Sequence, residues 1–363
     1  MSEFRHGLMI GKFYPPRIGH HDAIRAGAAR CEQVTVLVMA AAVETIPLVD
    51  RMAWLRDEHS GDSNVRIAGI PCDAPVDVTD QQIWAAQVAA MRAGLRAAGP
   101  SPAVDAVFSG DNYCAELARR FGAAAVQTER AGSSSTAVRG DLAGRWHELA
   151  PATRAGLTTR VVVVGAESTG TTTVAEHLTR YYAARGGAWA STQCVPEYGR
   201  HYTQLKCDAH PDLGINELHW DTKDFDVIGI EQTRREELAA RAGSPLLICD
   251  TDAFATGIWE RRYLNDASGG PWTQVPPRAV YLLTDHDGVP WHDDGMREGD
   301  LAVRAAMTGW FADALTQAGH SWVLLTGTLE QRIDLAVRTI DPLLELRARF
   351  GEPLHGPGFE ATP

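Results

Sequence analysis

The amino-acid sequence predicts an α/β protein with two largely parallel sheets, one in each half of the chain. Short apolar runs alternate with Ala-, Arg- and Leu-rich stretches of helical periodicity, and this alternation starts afresh near residue 160. The length of 363 residues and the hydrophobic content of 45% are sufficient for two cores. We therefore expect one domain over residues 1–155, a second over 156–350 and a flexible tail over 351–363.

The first half contains four apolar runs that indicate buried parallel strands. The segments between them, such as DQQIWAAQVAAMRAGLRAAG, have the spacing of amphipathic helices. Repeated strand–helix–strand units predict a doubly wound sheet whose ligands bind at the carboxyl ends of the strands. The four predicted strands cover residues 7–10, 34–39, 65–70 and 104–110.

The second half repeats this pattern after a short predicted connector over residues 149–159. The run RVVVV begins the new unit, and a helix is expected from about residue 329 to residue 350. This half should therefore also have a parallel sheet flanked by helices. Its further strands are predicted over residues 245–250, 279–284 and 321–327.

The composition argues against nucleic acids and membranes as partners. The formal net charge is −12 and the pI is about 5.5, so the protein has no overall attraction for polyanions. The sequence shows no N-terminal signal pattern and no apolar run of about 18 residues or more, which predicts a cytoplasmic protein. The six cysteines lack C-x-x-C spacing, as expected of free thiols in a reducing compartment.

A loop rich in glycine and proline follows the first predicted strand, within the stretch IGKFYPPRIGHHDAI. Gly19 and His20 are expected to open a helix whose N-terminal amide groups face a phosphate. The stretch resembles the G-x-F-x-P-x-H-x-G-H signature of the nucleotidyltransferase superfamily, which transfers adenylyl or cytidylyl groups. Arg17 stands where this signature has its first histidine. Arginine also donates hydrogen bonds to phosphate and carries a permanent charge, but it is larger than histidine.

A second element of that superfamily, [ST]-[SGT]-T-x-x-R, occurs as SSTAVR over residues 134–139. By this resemblance, Arg139 would bind the leaving pyrophosphate, and His20 would donate to the α-phosphate with the help of Arg17. Catalysis would depend on positioning and charge neutralisation, without a side-chain base. The segment FSGDNY adds polar residues at a strand end. The nucleotide-binding residues expected in this half are Gly11, Lys12, Phe13, Gly19, Ser109, Asp111, Ser134, Ser135 and Thr136.

The stretch GAESTGTTTV, residues 165–174, connects RVVVV to a predicted helix. It has the layout of a phosphate-binding P-loop, G-x-x-x-x-G-K-[ST], except that Thr171 replaces the lysine. Successive backbone amides still form an anion-binding nest, and Thr172 can bind Mg²⁺. The missing charge-assisted contact is worth roughly 1.5–3 kcal/mol, and nearby arginines can replace it. The nucleotide-binding residues expected here are Gly165, Glu167, Ser168, Gly170, Thr171, Thr172 and Thr173.

Two segments further along the chain bring the acidic groups that a kinase site needs. VPEYGRHY places Glu197 and Arg200 after a predicted strand, where a carboxylate can accept the proton of an attacking hydroxyl. The segment PLLICDTD ends a strand with Asp250 and Asp252. We expect Asp250 to bind Mg²⁺ and Asp252 to act on substrate hydroxyls.

The polar stretch DHDGVPWHDDGMREGDLAVR is typical of a mobile lid, because it combines glycines with many charges. Arg297 and Arg304 lie within it and would reach the phosphates when the lid closes. Arg297 is accordingly counted among the nucleotide-binding residues.

In this order the motifs resemble the NadR family, in which a nicotinamide-mononucleotide adenylyltransferase is joined to a ribosylnicotinamide kinase. The resemblance covers roughly residues 7 to 340 and includes GAESTG, PEYGR, DTD and the lid segment. It implies a Rossmann-like nucleotidyltransferase domain followed by a P-loop kinase domain. It also implies that ATP phosphorylates nicotinamide riboside (NR) to nicotinamide mononucleotide (NMN), and that ATP then adenylylates NMN to NAD with release of pyrophosphate.

The resemblance further implies Mg²⁺ as cofactor, ATP as a substrate of both reactions, and small nucleotides and nucleosides as partners. Aromatic side chains should hold the nicotinamide ring, because its positive charge favours a π face. The candidates are Trp84 in the first half and Trp259 or Trp291 in the second, with Arg200 as a further substrate-binding residue. The sequence leaves a homo-oligomer open.

Two alternatives follow from the departures at Arg17 and Thr171. The alternatives to an NAD-salvage enzyme are a related nucleotidyltransferase or kinase that acts on another nucleotide or phosphorylated substrate, and a catalytically weak nucleotide-binding sensor. The carboxylates Glu197, Asp250 and Asp252 favour an enzyme, since a sensor has little need of a base and metal ligands. Some NadR-family members carry an N-terminal DNA-binding domain, but nothing of that kind precedes Gly7, so no repressor role is predicted.

Overall fold

A computed structural model describes residues 2–129, 132–264, 276–290 and 301–352. The chain divides into two compact units. The first comprises residues 1–156 together with 348–363, and the second comprises residues 157–347. Among the described residues, no helix combines the length and the apolar character that a membrane crossing requires.

The first unit is a five-stranded parallel sheet in the order β3-β2-β1-β4-β5. Its strands are β1 (Phe4–Gly11), β2 (Cys31–Ala40), β3 (Val65–Pro71), β4 (Ala106–Ser109) and β5 (Ala124–Gln127). Its helices are α1 (Ile18–Ala28), α2 (Leu48–Glu58), α3 (Gln81–Ala97), α4 (Cys114–Phe121), α5 (Ser135–Gly140) and α6 (Pro151–Leu157), the last ending at the unit boundary.

Hydrophobic residues on β1, β2 and β4 are buried because helices cover both faces of this sheet. On α3, apolar side chains recur at helical spacing, and Trp84, Val88 and Met91 pack in one cluster with Leu37 of β2. Asp80 caps this helix by accepting hydrogen bonds from the amides of the second and third helical residues. The sheet and its helices thus fix the loops at the carboxyl ends of the strands.

The second unit is also a five-stranded parallel sheet, in the order β10-β9-β6-β8-β7. Its strands are β6 (Thr159–Gly165), β7 (Gln193–Val195), β8 (Leu246–Asp250), β9 (Val280–Thr284) and β10 (Trp322–Leu325). Its helices are α7 (Thr171–Ala183), α8 (Tyr198–Ala209), α9 (Thr222–Ala242), α10 (Ala253–Leu264), α11 (Leu301–Gln317) and α12 (Leu329–Arg347).

The first strand of each unit lies at the centre of its sheet, where the strand order reverses. Every residue of β6 is buried, and its valines pack against α7 through Val174 and Leu178. A crevice forms at such a switch point because the helices before and after it lie on opposite faces. The loops after β1 and β6 are therefore placed to bind ligands.

The structure confirms the predicted fold class. The eight segments predicted as strands, RVVVV included, each overlap a strand whose ends differ from the prediction by a few residues. The predicted connector over 149–159 contains α6 and the first residue of β6, so it is largely helical. Strand β5 was not predicted, because three of its four residues are exposed and its sequence AAVQ has a single β-branched residue.

Two candidate nucleotide sites

The first candidate site is a cavity of about 660 Å³ at the carboxyl edge of the first sheet. It is lined by the loop after β1, the end of β4 and the start of α5. The structure therefore brings together residues that lie far apart in the sequence. The thirteen site residues predicted in this half all line it: Gly11, Lys12, Phe13, Arg17, Gly19, His20, Trp84, Ser109, Asp111, Ser134, Ser135, Thr136 and Arg139.

His20 occupies the first turn of α1, which begins at Ile18. Its Nδ1 accepts a hydrogen bond from the Arg17 amide at 3.3 Å, and its ring packs edge to face on Phe13. An imidazole that accepts at Nδ1 carries its proton on Nε2 when neutral. His20 is thus arranged to donate from Nε2 to an anion in the cavity.

Arg17 is the N-cap residue of the same helix and is buried, with 8% of its surface exposed. Its guanidinium lies beside Gly132, in the segment that leads into α5. The arginine that replaces the expected histidine therefore remains among the cavity-lining groups. A buried guanidinium adds permanent positive charge where the backbone amides of α1 already favour an anion.

Arg139 is held by the loop after β1. Its guanidinium donates to the Tyr14 carbonyl at 2.7 Å and to the Thr136 hydroxyl at 3.2 Å, and it lies over the Tyr14 ring. Ser135 donates to the Pro15 carbonyl at 3.2 Å. These contacts join the two signature elements, because each ties α5 to the same loop.

Lys12 lines the cavity, and its ammonium group is paired with a buried carboxylate. Its ammonium donates to Glu44 at 2.5 Å, and the other carboxylate oxygen of Glu44 accepts from the fully buried Arg51 at 2.6 Å. Burial raises the pKa of Glu44, but the hydrogen bonds from Lys12 and Arg51 outweigh it and bring the pKa below its usual value. The Glu44 carboxylate is therefore ionised, and it neutralises part of the positive charge of Lys12.

The far end of the cavity is formed by residues after β4 and on α3. The Asp111 amide donates to the Ser109 hydroxyl, which in turn lies 3.4 Å from the Asp111 carboxylate. Burial raises the pKa of Tyr113 to about 12. Trp84 is buried, packs edge to face on Tyr113 and has the guanidinium of Arg120 over its ring. Trp84 is thus a core residue whose remaining surface meets the cavity.

The second candidate site is a smaller cavity, of about 120 Å³, at the carboxyl edge of the second sheet. Among the described residues, four predicted site residues do not line it: Gly170, Thr173, Asp250 and Asp252. Trp291 and Arg297 lie outside the described residues. The predicted residues that line the cavity are Gly165, Glu167, Ser168, Thr171, Thr172, Glu197, Arg200 and Trp259.

The P-loop between β6 and α7 has a backbone that turns sharply. Ser168 has a φ of 56° and Gly170 has a φ of 89°, and Gly170 caps α7. Two buried arginines hold the loop from behind: Arg304 donates to the carbonyls of residues 167 and 168, and Arg332 donates to the carbonyl of residue 169. Their hydrogen bonds fix the carbonyls and leave the loop amides to face an anion.

Asp250 ends β8 beside the first turn of α7. Its carboxylate accepts a hydrogen bond from the Thr172 hydroxyl at 2.6 Å. Burial raises the pKa of Asp250, while hydrogen bonds from Thr172 and Thr171 and the charge of Arg200 oppose that rise. A hydroxyl and a carboxylate so close are the hard oxygen donors that Mg²⁺ takes from a protein, with phosphate oxygens and water completing the set.

A model of the AAA domain family matches residues 160–332, which include the P-loop. The chain is 21% identical over 338 residues to the trifunctional NAD biosynthesis/regulator protein NadR of Salmonella typhimurium. The match covers 87% of this chain and 78% of NadR. The resemblance to the NadR family is confirmed.

Two crystal structures of NadR proteins match this chain over both of its units. One, in complex with NR, matches with a TM-score of 0.62 and 18% identity, over 94% of this chain and 96% of the other. Another, in complex with NAD and AMP-PNP, matches with a TM-score of 0.59 and 17% identity, over 95% of this chain and 98% of the other. Both units therefore have NadR folds.

Asp252, which we expected from the sequence to act on substrate hydroxyls, is buried in the structure. Its side chain is fully buried and accepts hydrogen bonds from Arg278 at 3.0 Å and from the Tyr281 hydroxyl at 2.8 Å. Arg278 also pairs with Glu236 at 2.5 Å. Asp252 therefore belongs to a buried ionic cluster with Arg278 and Glu236, and it does not line the cavity.

Gln232 is a cavity residue that the motifs did not reveal. Its side-chain oxygen accepts from the Tyr198 amide at 2.9 Å, and its nitrogen lies 3.5 Å from Glu236 and from the Thr251 carbonyl. The turn that presents Glu197 is thus tied to the buried ionic cluster. Nothing in the local sequence marks Gln232, because its partners are 19 or more residues away, apart from Glu236.

Aromatic residues beside Trp259 form a second group that sequence reasoning missed. Trp220 stacks on Tyr263 with ring centroids 5.2 Å apart and planes 28° apart, and both rings line the cavity. The ammonium of Lys206 lies 4.7 Å from the Trp220 centroid. The Trp220 face is therefore already in contact with a cation in this NadR-like site. A segment such as HWDTKDF gives no local sign of this role.

Proposed function

We propose that the chain is an NAD-salvage enzyme that phosphorylates NR and adenylylates the resulting NMN. The observation that carries this proposal is the assembly of the two sets of motif residues in two separate cavities, on units in the NadR order. Residues 1–155 would form the adenylyltransferase domain and residues 156–350 the kinase domain. Its partners would be small nucleotides and nucleosides in the cytoplasm.

In the first site, a phosphate oxygen of NMN would attack the α-phosphorus of ATP and pyrophosphate would leave. The phosphate of NMN is already ionised, so no base is needed. His20 and Arg17 support this step, because both lie at the start of α1 and donate to developing negative charge. Arg139 would hold the departing pyrophosphate, with Ser134, Ser135 and Thr136 around it. Trp84 would contact a ring of the bound nucleotide.

In the second site, the 5′-hydroxyl of NR would attack the γ-phosphorus of ATP and ADP would leave. Glu197 would accept the hydroxyl proton, since it lines the cavity at the start of α8. The P-loop amides, with Thr171 and Arg200, would bind the phosphates. Thr172 and Asp250 would hold Mg²⁺, which neutralises phosphate charge when bound.

The nicotinamide ring of NR carries a positive charge, and the second cavity offers π faces for it. Trp220, Tyr263 and Trp259 line one side of the cavity. Cation–π contact at a desolvated site is worth about 2 kcal/mol. This supports a cationic nucleoside as substrate over a neutral one, and it distinguishes the proposed enzyme from a general nucleoside kinase.

The proposal is tested by product analysis with purified protein and Mg-ATP. One reaction receives NR and another receives NMN, and mass spectrometry identifies the products. We expect NAD from both, with pyrophosphate released from the NMN reaction and ADP formed in addition from the NR reaction. NAD from NMN alone would show that the altered P-loop does not phosphorylate NR. No product in either reaction would refute the proposal.

A further inference from the structure

The last described residues of the chain pack against the phosphate-binding loop of the first unit. Residues 348–363 are grouped with that unit although they follow the second one in sequence. The Phe350 ring meets the Tyr14 ring edge to face, with centroids 5.8 Å apart. The Gly351 carbonyl accepts a hydrogen bond from the Tyr14 hydroxyl at 3.0 Å. The end of α12 is therefore followed by a docked segment, Phe350 to Glu352.

Gly351 fits its place so closely that no other residue can replace it without movement. A Cβ added there would lie 2.0 Å from the carbonyl oxygen of Val43. The backbone of Gly351 is not in the left-handed region, so lack of space alone requires the glycine. Its amide also lies 3.4 Å from the Thr45 hydroxyl, which bonds to the Tyr14 hydroxyl at 2.8 Å. The segment is thus hydrogen-bonded to the loop after β1, which contains Tyr14, and to the loop after β2, which contains Thr45.

Tyr14 connects this segment to Arg139. The Tyr14 side chain is buried, with 1% of its surface exposed, and Arg51 and Arg139 both lie over its ring, at 4.4 and 4.8 Å from the centroid. The Tyr14 carbonyl accepts a hydrogen bond from the Arg139 guanidinium at 2.7 Å. A shift of Tyr14 would therefore move Arg139. The negative charge of Glu352 also acts on the Arg139 guanidinium.

We propose that Phe350, Gly351 and Glu352 are a positioning element of the first site, which fixes Tyr14 and through it holds Arg139 at the triphosphate. This inference rests on the proposed adenylyl transfer. The segment itself does not touch the reacting atoms. It acts by keeping Arg139 in the position from which the guanidinium contacts the leaving pyrophosphate. A displacement of such a group by about 1 Å can lower the rate up to a hundredfold.

The test replaces Gly351 with alanine in the full-length chain, with Gly61→Ala as the matched control. Gly61 lies in the same unit, and a Cβ there meets nothing within 4 Å. We expect Gly351→Ala to lower kcat for NAD formation from NMN about tenfold or more, with little change in KM for NMN. The same preparation should phosphorylate NR at the rate of the unsubstituted protein. Gly61→Ala should form NAD from NMN with the kcat of the unsubstituted protein. An unchanged kcat in Gly351→Ala would overturn the proposal.

A second pair of variants serves if Gly351→Ala does not fold. A chain ending at Arg349 lacks the docked segment, whereas a chain ending at Glu352 retains it. We expect only the shorter chain to lose nucleotidyl transfer. Equal activity of the two chains would overturn the proposal.

Hydrogen exchange distinguishes failure of this inference from failure of the proposed function. If the unsubstituted chain forms no NAD from NMN, the proposed function is wrong, and the contact remains measurable. Amides of residues 11–14 and 43–47 should exchange faster in Gly351→Ala than in Gly61→Ala, because the docked segment covers both loops. Equal exchange in the two variants would show that the segment does not hold Tyr14.

Discussion

The hydroxyl of Thr172 donates a hydrogen bond to the carboxylate of Asp250 at 2.6 Å, which joins the first turn of α7 to the end of β8. The two residues are 78 positions apart in sequence and meet because β6 and β8 are neighbours in the sheet. Within the described residues, no group of three or more His, Cys, Asp or Glu side chains is placed to hold a metal. We propose that this pair of oxygen donors beside the P-loop holds Mg²⁺ in the second unit.

The first prediction concerns this pair. Thr172→Ala and Asp250→Asn should each lower phosphorylation of NR about 10- to 100-fold, because each removes a ligand or its partner from the Mg²⁺ site. Adenylyl transfer to NMN should be unaffected. Thr179→Ala is the control, since the Thr179 hydroxyl donates to a carbonyl of its own helix and Thr179 does not line the cavity. Titration of Mg²⁺ against initial rate checks the result, and an unchanged magnesium dependence in both variants would contradict it.

The second prediction concerns Thr171, which replaces the P-loop lysine. Two arginines in contact with the loop, Arg304 and Arg332, donate to its backbone carbonyls. Thr171→Lys should therefore raise the turnover of NR phosphorylation, or at least preserve it, since a charge-assisted contact of roughly 1.5–3 kcal/mol is restored. Steady-state kinetics with varied ATP measures the change. A large fall in turnover would mean that this loop binds phosphate differently from a standard P-loop.

The third prediction concerns the aromatic wall of the second cavity. Trp220→Leu should raise KM for NR about tenfold, because Tyr263 then loses the ring that stacks on it and no longer offers a fixed π face to the cationic nicotinamide. Trp220→Phe should retain most of the affinity, since it keeps an aromatic face beside Tyr263. Initial rates at varied NR test both variants. If leucine and phenylalanine gave the same KM as tryptophan, Trp220 would have no contact with the ring.

The fourth prediction concerns pH and the buried pair His21 and His59, whose ring nitrogens lie 3.0 Å apart. Burial, together with the charges of His59 and Arg25, lowers the pKa of His21 from 6.5 to about 3. Between these values the unfolded chain binds more protons than the folded one. The free energy of unfolding should therefore fall as the pH drops below 6.5, by about 1.4 kcal/mol per pH unit from this group.

His21→Asn should weaken this dependence, because asparagine has no proton to bind in this range and still places a polar atom near His59. The measurement is hydrogen exchange of amides in β1 and α1 between pH 7 and pH 4.5, corrected for the intrinsic exchange rate. Equal slopes of stability against pH in the two proteins would show that another group is responsible.

The two glycine-containing loops after β1 and β6 were predictable from sequence because each is a short, local pattern between a strand and a helix. Gly11 to His20 and Gly165 to Thr172 carry this information within about ten residues. Asp250 was equally predictable from the sequence, because a carboxylate at the end of a buried parallel strand lies at the carboxyl edge of its sheet, as the loops after β1 and β6 do in theirs. These residues follow from the rule that parallel strands bring their carboxyl ends together.

Other features depend on contacts that no local pattern encodes. Tyr14 and Gly351 meet across 337 positions, and Gln232 meets Tyr198 across 34. The local sequence DTD does not predict whether Asp252 faces the cavity or an ion pair. The side chain is buried because it pairs with Arg278, which lies 26 positions away. Such placements require the packed structure, because side-chain direction at a strand end depends on neighbours from other elements.

The most direct test of the central claim, that two separate sites act in sequence, is the product of His20→Ala given NR and Mg-ATP. His20 lines only the first cavity, so its loss should remove adenylyl transfer and leave phosphorylation intact. Mass spectrometry should then show NMN accumulating without NAD, whereas the unsubstituted protein converts NR to NAD. Equal loss of NMN and NAD in a folded His20→Ala protein would contradict the claim of two separate sites.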